Sequence, residues 1–302
     1  MSFFSIIIPT YNRARFLSNT IRSVVNQTFS DFEVLVVDDG STDNTSTVIG
    51  DLAEKDHRII YLHKQNGERG AARNYGLAKA KGKYVVFLDS DDLLKPEHLY
   101  HLHFLIQQHP KICFFATKFD FLDQETLTDA PISRLSEGVY DYRLLLKGNP
   151  FACNVCVKRE NLSLIYFPED RNYSGMEDWI FIFSNLWSQD LFLSDCITST
   201  MTEHPDRSMR FNKIITEKRK NALSYLLRNF SLTASEKTTL KGYSYYFCAI
   251  HAYLDFDRKN SLLYILKASI NLGPRKDLFT LIIKVLFGRK MIGKIKEVIN
   301  HS

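Results

Sequence analysis

Through its first 117 residues the chain alternates short, largely apolar runs with segments of helical periodicity, and this alternation limits the fold more than any other feature. Phe3 to Ile8 stops at Pro9. Asn12 to Gln27 follows, with Phe16, Leu17, Ile21, Val24 and Val25 on one helical face. Phe32 to Val37 reads as a second strand, closed by Asp38-Asp39-Gly40-Ser41, and Ser41 and Thr42 are the expected caps of a helix running through Ala53. Arg58 to Leu62 reads as strand three, Gly70 to Ala80 as a helix ended by Gly82, and Tyr84 to Leu88 as strand four. Pro96 suits the first turn of a helix closed by Pro110, and Ile112 to Thr117 is a fifth strand. Buried strands alternating with helices predict an α/β fold whose mostly parallel sheet is covered on both faces.

In such sheets ligands lie beyond the carboxyl ends of the strands. Chemically competent residues stand there: Pro9-Thr10-Tyr11-Asn12 after strand one, Asp38-Asp39 after strand two, and Asp89-Ser90-Asp91-Asp92 after strand four. Three carboxylates so close repel one another unless a cation neutralises them, and a hard divalent ion completed by substrate phosphates does so. A helix start is the alternative for Asp92, since Asp is a good cap. Asp38 and Asp39 divide between turn chemistry, which Asp-Gly-Ser-Thr supports, and contact with a ribose or base edge. Tyr11 offers a flat face to a nucleobase or is a half-buried loop tyrosine. Gly67-Glu68-Arg69-Gly70 enters a helix as an anion-binding turn would, without the Gly-Lys-Ser/Thr of a P-loop. Arg73 pairs with a diphosphate or with the local acids, the first being favoured. Glu177 and Asp178 either complement a helix dipole or supply a general base to a second substrate. His204 lies in a polar loop after a strand expected over Phe192 to Met201.

From about residue 118 the alternation is lost, and from about 213 the pattern is mainly helical. The expected division is a domain over 1–210, with halves 1–117 and 118–210, and a basic helical region over 211–302. Apolar residues at 45% and charged residues at 24% fit a globular chain. The net charge of +5 conceals an asymmetry: residues 1–206 carry 20 basic and 28 acidic side chains, residues 207–302 carry 19 and 6. No apolar run approaches the roughly 18 residues of a membrane span. Met1-Ser2-Phe3-Phe4 has no basic segment of a signal peptide, so a cytoplasmic protein is expected. The Cys153/Cys156 pair reads as buried thiols rather than a zinc half-site. Leu278 to Phe287, followed by Arg289, Lys290, Lys294 and Lys296, suits either an interfacial helix on anionic lipid or a helix buried in its own domain. No nucleic-acid motif accompanies this charge.

The ordered set Ser5-Ile6-Ile7-Ile8-Pro9-Thr10-Tyr11-Asn12-Arg13, Val36-Val37-Asp38-Asp39-Gly40-Ser41-Thr42-Asp43, Ala72-Arg73-Asn74-Tyr75-Gly76, Phe87-Leu88-Asp89-Ser90-Asp91-Asp92 and Glu177-Asp178 resembles the family 2 glycosyltransferases of the GT-A fold. The resemblance spans about residues 3–210 and implies an inverting, nucleotide-sugar-dependent transferase. By it, Asp91 and Asp89 hold a divalent Mg or Mn ion, Asp89 and Ser90 also touch the nucleotide-sugar, and His204 completes the metal shell. Pro9, Thr10, Tyr11, one acid of Asp38-Asp39, and Arg73 line the nucleotide. Asp178 matches the catalytic base, with Glu177 and Trp179 on the acceptor side, where the Trp179 ring either faces a sugar or packs in the core, the second being favoured; the acceptor is a glycan or lipid-linked hydroxyl in surface polysaccharide synthesis. The resemblance implies nothing for residues 211–302; there it is the apolar run followed by cations that suggests peripheral attachment to the inner face of a membrane. A non-catalytic nucleotide-sugar-binding subunit is the alternative. Haloacid-dehalogenase phosphatases also use Asp-x-Asp, but here Leu93 stands at the fifth position and the motif follows strand four.

Overall fold

The structure is a computed structural model that describes residues 2–207 and 212–287. It divides into two units, residues 1–145 with 149–207 and residues 146–148 with 208–302. The first unit opens with β1 (Phe4–Thr10), α1 (Ala14–Val25), β2 (Phe32–Asp38), α2 (Thr45–Ala53), β3 (Ile59–His63), α3 (Glu68–Lys79) and β4 (Tyr84–Phe87). β5 (Leu93–Leu94), α4 (His98–Gln108), β6 (Phe114–Asp123), β7 (Thr126–Asp129), β8 (Gly138–Tyr140), β9 (Val155–Lys158), α5 (Glu177–Leu186) and β10 (Leu191–Glu203) complete it. All belong to one sheet or its covering helices. The sheet runs β3-β2-β1-β4-β9-β6-β10-β5, with β7 on β6 and β8 on β10.

Strands β3, β2, β1 and β4 pair in parallel, as do β6 and β10, while β9 is antiparallel to both β4 and β6. Every residue of β1 and β2 is buried, because helices cover both faces. Ile6, Ile8, Val34, Val36 and Val86 meet Leu17, Ile21 and Val24 of α1 in the main core. This is an α/β fold of the expected kind.

Local boundaries differ from the sequence reading for identifiable reasons. α1 starts at Ala14, not Asn12, because Asn12 is left-handed (φ 52°) and its Oδ1 accepts from the Thr42 and Asp43 backbone N–H groups. Ser41 and Thr42 do not cap α2; Asp43 Oδ1 instead accepts from the Thr45 N–H and hydroxyl. Gly82 does not end α3, whose last residue is Lys79. It lets β1 pass close by, since a Cβ there would stand 2.5 Å from the Ser5 nitrogen. α4 starts at His98, leaving Pro96 before it, where its carbonyl accepts from the Thr28 N–H. β6 outruns the expected strand by six residues to Asp123, and β5 had no sequence signal. Cys153 and Cys156 are buried free thiols, as read.

The second unit holds α6 (Asn212–Asn229), α7 (Ala234–Leu254) and α8 (Arg258–Leu272), then helical residues 276–287. A capping box of Thr233 and Glu236 opens α7, and Asp257 caps α8 through the Asn260 N–H.

Candidate active site

Parallel pairing puts the carboxyl ends of β1, β2 and β4 side by side, with Pro9 opposite Val37 and Thr10 opposite Asp38. Tyr11 stands exposed just beyond them, and Thr10 is buried with a hydroxyl that has no hydrogen-bond partner. Asp38 is committed to the turn: Oδ1 accepts from the Ser41 N–H at 2.8 Å and Oδ2 from the Tyr61 hydroxyl at 2.8 Å. Burial, with that hydrogen bond and the Asp38 charge, pushes the Tyr61 phenol up to about 12. Asp39 holds Lys64 Nζ at 2.8 Å and the Gly67 N–H at 2.9 Å, so it organises the turn entering α3. A cleft of about 480 Å³ beside that turn is lined by Lys64, Gly67, Asn74 and Arg171.

After β4, ligand oxygens of Asp89, Asp91 and Asp92 lie within 4.8 Å of one another. Each carboxylate has a different tether. Asp89 Oδ1 accepts from Arg73 at 2.7 Å, and Asp92 Oδ1 from the Thr202 N–H at 3.1 Å. Asp91 Oδ2 meets His204 Nε2 at 2.9 Å and Arg13 at 3.8 Å. Burial and the Asp91 charge hold the Asp92 carboxyl well above the usual carboxylate range, against the pull of Arg207. Burial acts the same way on Asp89, but Arg73, Arg69 and Arg207 outweigh it and its pKa is lowered. Three carboxylates offering hard oxygen donors this close together fit a divalent cation. His204 lies beside Asp91. Its Nδ1 is buried without a hydrogen-bond partner, and its ring packs on Phe16. Ser90 is buried, and its carbonyl accepts from the Thr20 hydroxyl at 3.0 Å.

Arg73 joins this cluster to α5. It is 1% exposed and donates to Glu177 Oε1 and to Asp89 Oδ1, each at 2.7 Å, under the Phe167 ring. Of the two readings left by the sequence, the structure takes the pairing with local acids. The diphosphate contact is corrected on burial: both terminal nitrogens are held by carboxylates, Nε is buried without a hydrogen-bond partner, and at 1% exposure no face is open to a ligand. Glu177 is corrected likewise: it is buried, with Oε2 accepting from the Gly175 N–H at 2.6 Å, and does not face an acceptor. For Trp179 the structure takes the core reading of the two. The side chain lies in the core at 1% exposure with Nε1 donating to the Leu145 carbonyl, so no ring face is left for a sugar.

Asp178, next on α5, accepts from Asn149 Nδ2 at 2.9 Å and the Trp179 N–H at 2.7 Å. Burial, reinforced by Glu177 and opposed by Arg73, pushes its carboxyl up to about 6. Sequence reading missed Asn149, which has no motif around it, and the cationic frame of Arg13, Arg69 and Arg207. Two members of that frame carried a signal, Arg13 as the last residue of the first motif and Arg69 within the turn Gly67-Glu68-Arg69-Gly70.

Sheet and site together define an α/β domain of the GT-A type, with an acidic cluster at its carboxyl edge. The Glycosyl transferase family 2 model matches residues 5–157. A glycosyltransferase of Haemophilus influenzae, described as uncharacterised, is 36% identical over 184 residues, 60% of this chain and 70% of that one. TuaG of Bacillus subtilis, a putative teichuronic acid biosynthesis glycosyltransferase, is 33% identical over 181 residues, 58% and 70% of the two chains. Other relatives are far longer: the chain spans 17% of one from Rickettsia bellii and 15% of one from Rickettsia conorii. Among solved structures, S. aureus TarS 1–349 in complex with UDP-GlcNAc superposes with TM-score 0.61 at 20% identity, over 91% of this chain and 93% of that one. The mannosyltransferase PcManGT of Pyrobaculum calidifontis, in complex with GDP-Man and Mn2+, gives 0.61 at 17% identity, over 94% and 79%. The chain belongs to glycosyl transferase family 2 and is a glycosyltransferase by that membership. That membership displaces the phosphatase reading.

Proposed function

We propose that this chain moves a sugar from a nucleoside diphosphate sugar to a hydroxyl of a glycan or lipid-linked acceptor, inverting the anomeric carbon, in surface polysaccharide synthesis. One observation carries the reading: Arg73 ties the first turn of α5, which bears Asp178, to the acidic cluster after β4. A base and a leaving-group site are thereby held in one frame. Asp178, with its pKa near 6, takes the acceptor hydroxyl's proton as that oxygen attacks the anomeric carbon and the bond to the diphosphate breaks. Asn149 and the Trp179 N–H orient its two oxygens. Asp91 and Asp89, with His204 beside them, would hold a divalent Mg or Mn ion. Bound there, the ion supplies positive charge against the leaving nucleoside diphosphate. Tyr11, Thr10, Pro9, Asp39 and Ser90 line the donor's side of the strand ends.

The teichuronic acid biosynthesis role put forward for TuaG and the UDP-GlcNAc and GDP-Man complexes of TarS and PcManGT support the donor class and the setting. Among the described residues no helix is long and apolar enough to cross a membrane. Peripheral attachment at a cytoplasmic membrane face suits a lipid-linked acceptor. A screen of UDP-, GDP- and dTDP-sugars, read by metal-dependent release of the nucleoside diphosphate, identifies the donor. Asp178→Asn is expected to abolish transfer while donor binding persists. Equal transfer by wild type and variant would reject the assignment of the base, and donor binding without any transfer would favour the non-catalytic subunit.

A further inference from the structure

We propose that the second unit docks on an anionic lipid surface through the exposed sides of α8 and of helical residues 276–287. The sequence left open whether the apolar run 278–287 is buried or interfacial, and the structure uses one side for each. Leu278, Leu281 and Val285 pack with Ile265 and Ala268 of α8 and Ala249 of α7 in the unit's own core. The opposite sides are also apolar. On α8, Leu262, Leu266 and Ile270 recur every fourth residue, Ile270 at 74% exposure. On the following helical segment Phe279, Leu286 and Phe287 share a side, Phe279 at 64% exposure. Single exposed leucines are ordinary; six large apolar side chains on consecutive helical segments mark an interaction surface.

Charge identifies the partner. Residues 258–287 carry six cations, Arg258, Lys259, Lys267, Arg275, Lys276 and Lys284, against one acid, Asp277, which Arg275 already pairs. Lys259 and Lys276 stand one turn before Leu262 and Phe279 on the same sides of their helices. A cavity of about 770 Å³ lined by Tyr246, Ile250, Tyr253 and Leu281 has Lys276 and Lys284 in its wall. Cations beside apolar side chains match lipid headgroups above acyl chains. A second copy would bring like charges together, and nucleic acid would leave the apolar side chains without a partner.

The test is sedimentation of the full chain with vesicles of phosphatidylcholine, alone or mixed with phosphatidylglycerol. Binding is expected only to the anionic vesicles and should be released by salt. Lys276→Gln with Lys284→Gln should lower the partition constant roughly thirtyfold. Ile270→Ser with Phe279→Ser should lower it by at least about tenfold. Because all four side chains are exposed, unchanged thermal melting is expected in both variants. The proposal is overturned by absence from anionic vesicles or by undiminished binding of both variants. It is equally overturned by a concentration-dependent dimer that Phe279→Ser dissolves. None of these readouts involves sugar transfer, so the surface and the proposed reaction fail independently.

Discussion

Asp178 ionises against a penalty. Burial and the neighbouring Glu177 raise its pKa to about 6, and Arg73 only partly offsets them. The deprotonated form is the base, so transfer should fall as pH drops through about 6 and level off above it, measured as kcat against pH. Asp178→Asn removes that limb and should cost on the order of 10²- to 10⁴-fold in kcat. The linkage to stability has the opposite sign. The folded state holds this proton more tightly than the unfolded chain, so the group's contribution is full below the ordinary carboxylate range and is lost as pH rises through about 6. Arg73 is the second residue on which the site turns. Arg73→Met would leave Glu177 and Asp89 as unpaired charges and should destabilise the fold by about 3–5 kcal/mol, read from the urea midpoint. The cluster of Asp89, Asp91 and Asp92 was legible because three adjacent carboxylates after a buried strand repel one another without a cation, whereas the Asp38-Asp39 pair read equally as turn chemistry. Trp179 was not legible, since an aromatic residue beside a catalytic acid reads the same whether it faces a sugar or the core.

Among elements, the turn after β1 and the loop after β2 act as one piece. Asn12 Oδ1 accepts from two backbone N–H groups of the second, and Ser41 Oγ accepts from the Asn12 N–H. Asn12→Ala should lose about 1–2 kcal/mol and raise the donor KM, because the two loops flank Tyr11 and Asp39. Helix and strand types were readable along most of the first half from apolar spacing. The ends were less so: an Asn or Ser at a loop is a cap only if its oxygen faces its own helix, and Asn12 faces another loop. Gly82 shows the same limit. Its sequence position suggests a helix stop, whereas its role is contact across β1, so Gly82→Ala should cost about 1–3 kcal/mol by forcing β1 aside.

Across the whole molecule, the charge asymmetry separates into two settings. The acidic stretch supplies a cluster of hard oxygen donors, and chelation by EDTA should abolish release of the nucleoside diphosphate, with Mn2+ or Mg2+ restoring it. The basic stretch surrounds exposed apolar helix sides that have no place in the proposed chemistry. Sequence by itself determined the parallel α/β sheet, the family and the acidic residues at its edge, because apolar periodicity and strand-end chemistry are local properties. Only the tertiary structure decided which charges meet: Arg73 and Glu177 are 104 positions apart, and Asp91 and His204 are 113. It also decided that one helical segment turns half of its apolar surface inward and half outward. Pairing over such separations depends on how the sheet brings its strand ends together, and burial depends on what packs beside a helix; neither is written in the spacing of residues along it.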